Sequence, residues 1–164
     1  MAYLLDADVF IRAKNLHYGF DFCPAFWSWL IQMNGKHAVC SVEKVGDELL
    51  GIADELAAWA ADRGSEFFVR PDASVFPALA RVGDWAGAGR YEASAVATFL
   101  QVADYYLIAQ ALAGDHAVVT HEVPSASVKK IKIPDACISL GIKCMTPYEM
   151  LRREKARFVL GLNP

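Results

Sequence analysis

The residues of this chain best suited to chemistry are carboxylates that follow apolar runs. Asp6 ends Tyr3-Leu4-Leu5, and Glu122 closely follows Val118-Val119-Thr120. Glu43 and Glu48 lie just beyond Val39-Cys40-Ser41-Val42, and Asp104 opens the stretch Tyr105-Tyr106-Leu107-Ile108. A carboxylate in an apolar context needs a cation or several donors, because burying it unpaired is costly. Carboxylates within a few ångströms of each other repel, and one of them then holds a proton unless a cation neutralises the group. Hard divalent ions such as Mg²⁺ and Mn²⁺ take oxygen ligands and keep several waters. A pair of such ions about 4 Å apart, or one alone, activates water and stabilises the leaving oxygen in phosphodiester cleavage. Each acid also has a plainer role open to it. Asp104 can cap a helix, Glu48 can be a solvated helix residue, and Glu122 can sit exposed in a loop.

These acids work together only if the elements bring them to one place. The run 3–5 reads as a short buried strand. A segment from Asp8 to about Asn15 can open a helix, and 17–24 reads as a loop around Gly19 and Pro24. Phe26, Trp27, Leu30 and Ile31 have the spacing of an amphipathic helix that ends at Gly35. Residues 37–42 form a second strand. Residues 43–63 read as one helix with Val45, Leu49, Ile52, Leu56 and Trp59 on one face. A short strand or extended edge is expected at 67–69. A mostly helical stretch covers 74–101, broken near Gly83–Gly89, and a helix follows at 104–113. Further strands are expected at 117–120 and 142–145, a short helix at 135–140, and a C-terminal helix from Pro147 through Arg152, Arg153, Lys155 and Arg157. Strands alternating with helices indicate an α/β fold with a mainly parallel sheet, in which ligands gather at the carboxyl ends of the strands.

Composition narrows the class. The chain has 164 residues, suited to one domain over 1–164, and is 55% hydrophobic and 21% charged, unlike a disordered chain. Sixteen Lys and Arg against 19 Asp and Glu give a net charge of −3, which excludes a broadly basic nucleic-acid binder but not a local basic patch. Cys23, Cys40, Cys137 and Cys144 form no metal-binding spacing and read as buried free thiols of a reducing compartment. The N-terminus lacks a basic region before its apolar run and is not expected to be a signal peptide. Gln101, Asp104 and Gln110 interrupt the apolar stretch 95–113, so no membrane span is expected. A cytoplasmic location follows as an expectation. Lys129, Lys130 and Lys132, with Arg152 and Arg153, can hold phosphates without reading sequence, or can simply be solvated. Tyr18, Phe20 and Phe22 can stack bases, or pack their loop on the core.

The motifs also resemble a known family. YLLDADVFI at 3–11 resembles the opening strand of PIN-domain nucleases, where an acid ends the strand. SVEKVGDELLG at 41–51 resembles their second motif, and VADYYLIAQALA at 102–113 is similar to the third, an Asp opening a helix. AVVTHE at 117–122 resembles the fourth, and GIKCMTP at 141–147 the final strand and proline. KNLHYGFDFCPAFWSWL and KIPDACISLGIKC look like a PIN-like branch of bacterial proteins described as VapC-like toxins.

The resemblance implies a three-layer α/β/α PIN-like fold with a mainly parallel central sheet. It implies a metal-dependent ribonuclease that hydrolyses RNA phosphodiester bonds with Mg²⁺ or Mn²⁺, the toxin of a type II toxin–antitoxin pair. Its partners would be RNA, a cognate antitoxin protein and a second copy of the chain. Asp6, Glu48, Asp104 and Glu122 match the acidic positions and would be catalytic metal ligands, with Glu43 competing for the place of Glu48. Glu122 stands where Asp is usual. Asp8 stands where the family often has Asn, Thr120 would orient an acid or a water, and Asp135 is either an additional acid near the cleft or an N-cap. Two other classes stay open: a catalytically inactive PIN-like module that binds RNA or protein, and a small-molecule hydrolase such as a phosphatase. The latter lacks a glycine-rich phosphate loop or a nucleophile motif here.

Overall fold

The computed structural model describes residues 1–161. Five short strands form one sheet: β1 (Tyr3–Leu5), β2 (Val39–Val42), β3 (Phe68–Val69), β4 (Ala117–Val119) and β5 (Cys144–Met145). Their order is β3-β2-β1-β4-β5 and every pairing is parallel. Helices cover both faces in a three-layer α/β/α architecture, and the parallel sheet is the one expected from the alternation of elements. Every residue of β1 and β4 is buried, which explains why these strands read as unbroken apolar runs rather than alternating ones.

Nine α-helices among the described residues connect and cover the strands. Between β1 and β2 lie α1 (Ala7–Arg12), a π-helical turn (Ala13–His17) and α2 (Pro24–Gly35). Between β2 and β3 lie α3 (Glu43–Leu50) and α4 (Glu55–Phe67). A 3₁₀ turn, α5 (Phe76–Ala88), α6 (Ala93–Phe99) and α7 (Ala103–Gly114) lead to β4. Then α8 (Ile133–Leu140) joins β4 to β5, and α9 (Pro147–Arg153) follows.

Several expected boundaries shift for local reasons. The single helix expected over 43–63 is two. The chain turns at Ala53, whose φ is 56°, and Asp54 restarts it by accepting a hydrogen bond from Ala57 N at 3.0 Å. Ile52 therefore leaves the buried face and is exposed, as is Ile31 on α2. The break expected at Gly83–Gly89 falls instead at 89–92, because Gly83 and Gly87 stay helical inside α5. Lys132, not Asp135, stands at the N-cap of α8, and the C-terminal helix stops at Arg153, short of Lys155 and Arg157. All four cysteines are free, but only Cys137 is fully buried. No single described helix is long and apolar enough to cross a membrane; α6 and α7 pass that test only as a pair, bent by 71°.

Candidate functional site

The strand order has one reversal. From β1 the chain moves to β2 and β3 on one side, then returns to place β4 on the other. In open parallel sheets a crevice opens outside the carboxyl ends of the strands at such a point. Asp6 is the first residue after β1 and Thr120 the first after β4. The two strand ends are laced together. Asp6 N donates to Val119 O at 3.0 Å, and Thr120 Oγ1 donates to Asp6 Oδ2 at 2.9 Å. Thr120 Oγ1 also accepts from Glu122 N at 3.0 Å. On the other flank, the Ser41 hydroxyl donates to Leu5 O at 2.5 Å, securing the carbonyl just before Asp6. One hydroxyl thus fixes the Asp6 carboxylate and the backbone of Glu122 together.

Asp6 and Glu122 face a cavity of about 830 Å³. Asp6, Glu48, Asp104 and Glu122 all line it, so four segments far apart in sequence bring their acids to one crevice. Asp8 lines it too, paired with Arg12 Nε at 2.8 Å. The acids feel burial and each other. Burial, then the nearby Asp104 carboxylate, pushes Asp6 up to about 8, against the opposing hydrogen bond from Thr120. Burial, then Glu122 and Glu48, pushes Asp104 up to about 6, while Lys130 and Lys132 pull it back. Glu48 is also raised, by burial and then by Asp8. Without a cation, the cluster is therefore partly protonated at neutral pH.

The expected site residues separate on this geometry. Glu48, not Glu43, belongs to the cavity: Glu43 faces away and pairs with Arg70 Nε at 2.6 Å. Helix α3 separates them, since five residues turn a helix well past one full turn. Glu122 lines the cavity, but its Oε2 is engaged, accepting from Ile133 N at 3.0 Å. Asp135 lies outside the cavity lining and fastens the loop instead, accepting from Ser125 N at 3.0 Å. Lys129, Lys130 and Lys132 line the cavity, whereas Arg152 and Arg153 do not. The aromatic loop mostly packs: Tyr18 stacks on Phe26 with centroids 4.4 Å apart and Phe20 on Trp27 at 4.1 Å, leaving Phe22 exposed.

Two cations were missed by sequence reasoning. Lys44 lines the cavity, with its ammonium 5.4 Å from the centre of the Tyr106 ring, and Arg12 lines it through its pair with Asp8. Their signal was helical spacing: Lys44 precedes Glu48 by four residues and Arg12 follows Asp8 by four, so each shares a helix face with an acid.

The donor set suits a hard divalent cation in kind, since every acidic group offered is a carboxylate oxygen and Asp6 is buried with a hydroxyl as its side-chain partner. Among the described residues no three His, Cys, Asp or Glu side chains are already disposed to hold one ion, so carboxylates would have to turn inward to chelate it. No curated protein and no solved structure matches the chain. A family model does match residues 3–158, nearly the whole sequence, and the chain belongs to the family described as Domain of unknown function (DUF4411).

Proposed function

We propose that this protein is a metal-dependent ribonuclease of the PIN-like class, in which Asp6, Glu48 and Asp104 hold Mg²⁺ or Mn²⁺ in the crevice between the ends of β1 and β4. The observation that carries this reading is the convergence of carboxylates from separate segments on one cavity, with two of them pushed to about 8 and about 6. Such a cluster wants positive charge: a cation replaces the protons that burial and repulsion otherwise force onto it. When bound, the cation would supply the charge that activates water and offsets charge developing on phosphate. The chain's own parts have distinct tasks. Asp6 and Asp104 would hold the cation as carboxylates, Thr120 holds Asp6 in orientation, and the lysines at the cavity edge would attract a phosphodiester. The place of the protein as a toxin, with an antitoxin as partner, rests on the motif resemblance alone.

The test is cleavage of a labelled single-stranded RNA with Mn²⁺ by the native chain, Asp6→Asn and Asp104→Asn. Both variants keep the side-chain shape and a hydrogen-bond acceptor. Cleavage by the native chain and at least hundredfold loss in both variants, with unchanged melting cooperativity, is the expected result. Undiminished cleavage in both overturns the metal-site reading; RNA bound but not cleaved by the native chain favours a binding module.

A further inference from the structure

The segment between β4 and α8 is irregular, yet it is tied at many points. Its two ends meet through one side chain: Glu122 Oε2 accepts from Ile133 N at 3.0 Å, closing a loop over residues 123–132. Thr120 Oγ1 holds the start of this loop through Glu122 N, and donates to Asp6. Further along, Arg90 Nη2 donates to Ser125 O at 3.0 Å and Glu92 N to Val128 O at 3.0 Å. Two serine turns stiffen the middle, with Ser127 N donating to Ser125 Oγ and Lys129 N to Ser127 Oγ. What the loop carries is Lys129 and Lys130, both exposed, and Lys132, half-buried, all three lining the acid cavity.

We propose that residues 123–132 form a built strap that holds the phosphodiester backbone of single-stranded RNA across the acid cavity, and that Glu122 is its latch rather than a cation ligand. The ligand class rests on the nuclease reading above; the latch does not. Three reasons support it. An exposed loop with only solvated lysines needs no such fastening, because ordering its backbone costs conformational entropy that phosphate contacts can offset only if the lysines are already placed. The fastening comes from the α5–α6 connection, from Glu122 and from the first turn of α8, so the strap is fixed relative to the cavity on several sides. Glu122 also has reason to stay where it is. Drawing its carboxylate to a cation leaves the Ile133 N–H at the start of α8 without its acceptor, whereas among the described residues the carboxylates of Asp6, Glu48 and Asp104 hold no backbone N–H, and the Thr120 hydroxyl occupies only one oxygen of Asp6. The longer side chain at this position follows from the same geometry, since it must reach eleven residues along the chain to the opening of a helix.

The test separates hydrogen bonding from charge. Glu122→Gln keeps a carbonyl acceptor for Ile133 N but removes the negative charge, whereas Glu122→Ala removes both. Three quantities are measured on the full chain: the Kd for a fluorescent single-stranded RNA in chelator, amide hydrogen exchange of residues 123–133, and calorimetric binding of Mn²⁺. We expect Glu122→Ala to weaken RNA binding about tenfold, the weight of one hydrogen bond to a charged acceptor, and to expose the strap amides. Glu122→Gln should restore both to within about threefold and should still bind Mn²⁺. The triple variant Lys129→Ala, Lys130→Ala, Lys132→Ala should flatten the salt dependence of log Kd by about 2, as expected for three lost phosphate contacts on a single strand. Equal damage from Gln and Ala, loss of Mn²⁺ binding in Glu122→Gln, or an unchanged salt dependence in the triple variant overturns the proposal, and so does a native chain that binds no RNA in chelator. Failure of cleavage alone bears on the nuclease reading, because none of these measurements requires turnover.

Discussion

Asp6 is the most deeply buried acid of the cavity. It sits 5% exposed at the end of a buried strand, with Thr120 donating to it and Asp104 repelling it. In the folded chain its proton affinity is raised to about 8 from an unfolded value near 3.8. Between those values the unfolded chain has lost the proton that the folded chain retains, so the unfolded state binds fewer protons and stability falls as pH rises. The metal-free protein should therefore lose stability between about pH 4 and 8 through this group. Asp6→Asn, which cannot ionise and can still accept from Thr120, should be more stable than the native chain at pH 8 in chelator, on the order of 3 kcal/mol. Chemical denaturation at pH 5 and pH 8 checks this; a native chain equally stable at both pH values relative to Asp6→Asn contradicts it. Thr120→Val removes the donor that favours the ionised form, so it should raise the Asp6 proton affinity further and weaken Mn²⁺ binding, while Thr120→Ser retains both; carboxyl titration by NMR and calorimetry would show it. Asp6 was legible in the sequence because a carboxylate after an apolar run is costly without a purpose. The engagement of Glu122 with Ile133 was not, since a side chain closing a loop on a distant amide leaves no periodic trace.

At the scale of elements, α3 decides which glutamate reaches the cavity. It packs against β3 so closely that a Cβ on Gly46 would lie 2.8 Å from Phe68 Cγ and 3.0 Å from Phe68 Cβ. Both atoms belong to the rigid root of a buried ring, so the helix must move if Gly46 gains a methyl. Gly46→Ala should cost about 1–3 kcal/mol by overpacking, despite the better helix propensity of alanine. A denaturation midpoint at or above that of the native chain would contradict this. The strands were readable as apolar runs, and α7 as a helix opened by Asp104. The split between α3 and α4 was harder to see, because Val45, Leu49, Ile52, Leu56 and Trp59 continue one helical spacing across it. Only Asp54, a good N-cap, signals the restart, and its competing helical context hides that signal. Glu43 and Glu48 were inseparable for the same reason: their segment was known, but the angle at which its helix meets the sheet depends on the contact of Gly46 with Phe68.

At the scale of the molecule, strand order turns scattered acids into one site. Asp6 and Glu122 are more than a hundred residues apart, and only the placing of β4 beside β1 makes them neighbours. The net charge of −3 then says little about a nucleic-acid partner, since acids lie in the cavity and lysines on the strap beside it. If a divalent ion binds this site, its binding is linked to folding, and an ion at about a hundred times its Kd should add about 2.7 kcal/mol of stability. For a chain of this size that corresponds to a rise in Tm of roughly 5–10 °C, absent in Asp104→Asn. Thermal melts with and without Mn²⁺ check it; an equal rise in Asp104→Asn would assign the ion elsewhere. The most direct test of the central claim is a crystal soaked in Mn²⁺ and measured for anomalous scattering. A peak is expected in the crevice between β1 and β4, coordinated by carboxylate oxygens of Asp6 and Asp104 with Glu48 beside them. A crevice without a peak in crystals soaked at saturating Mn²⁺, or a peak held only by other residues, would contradict it.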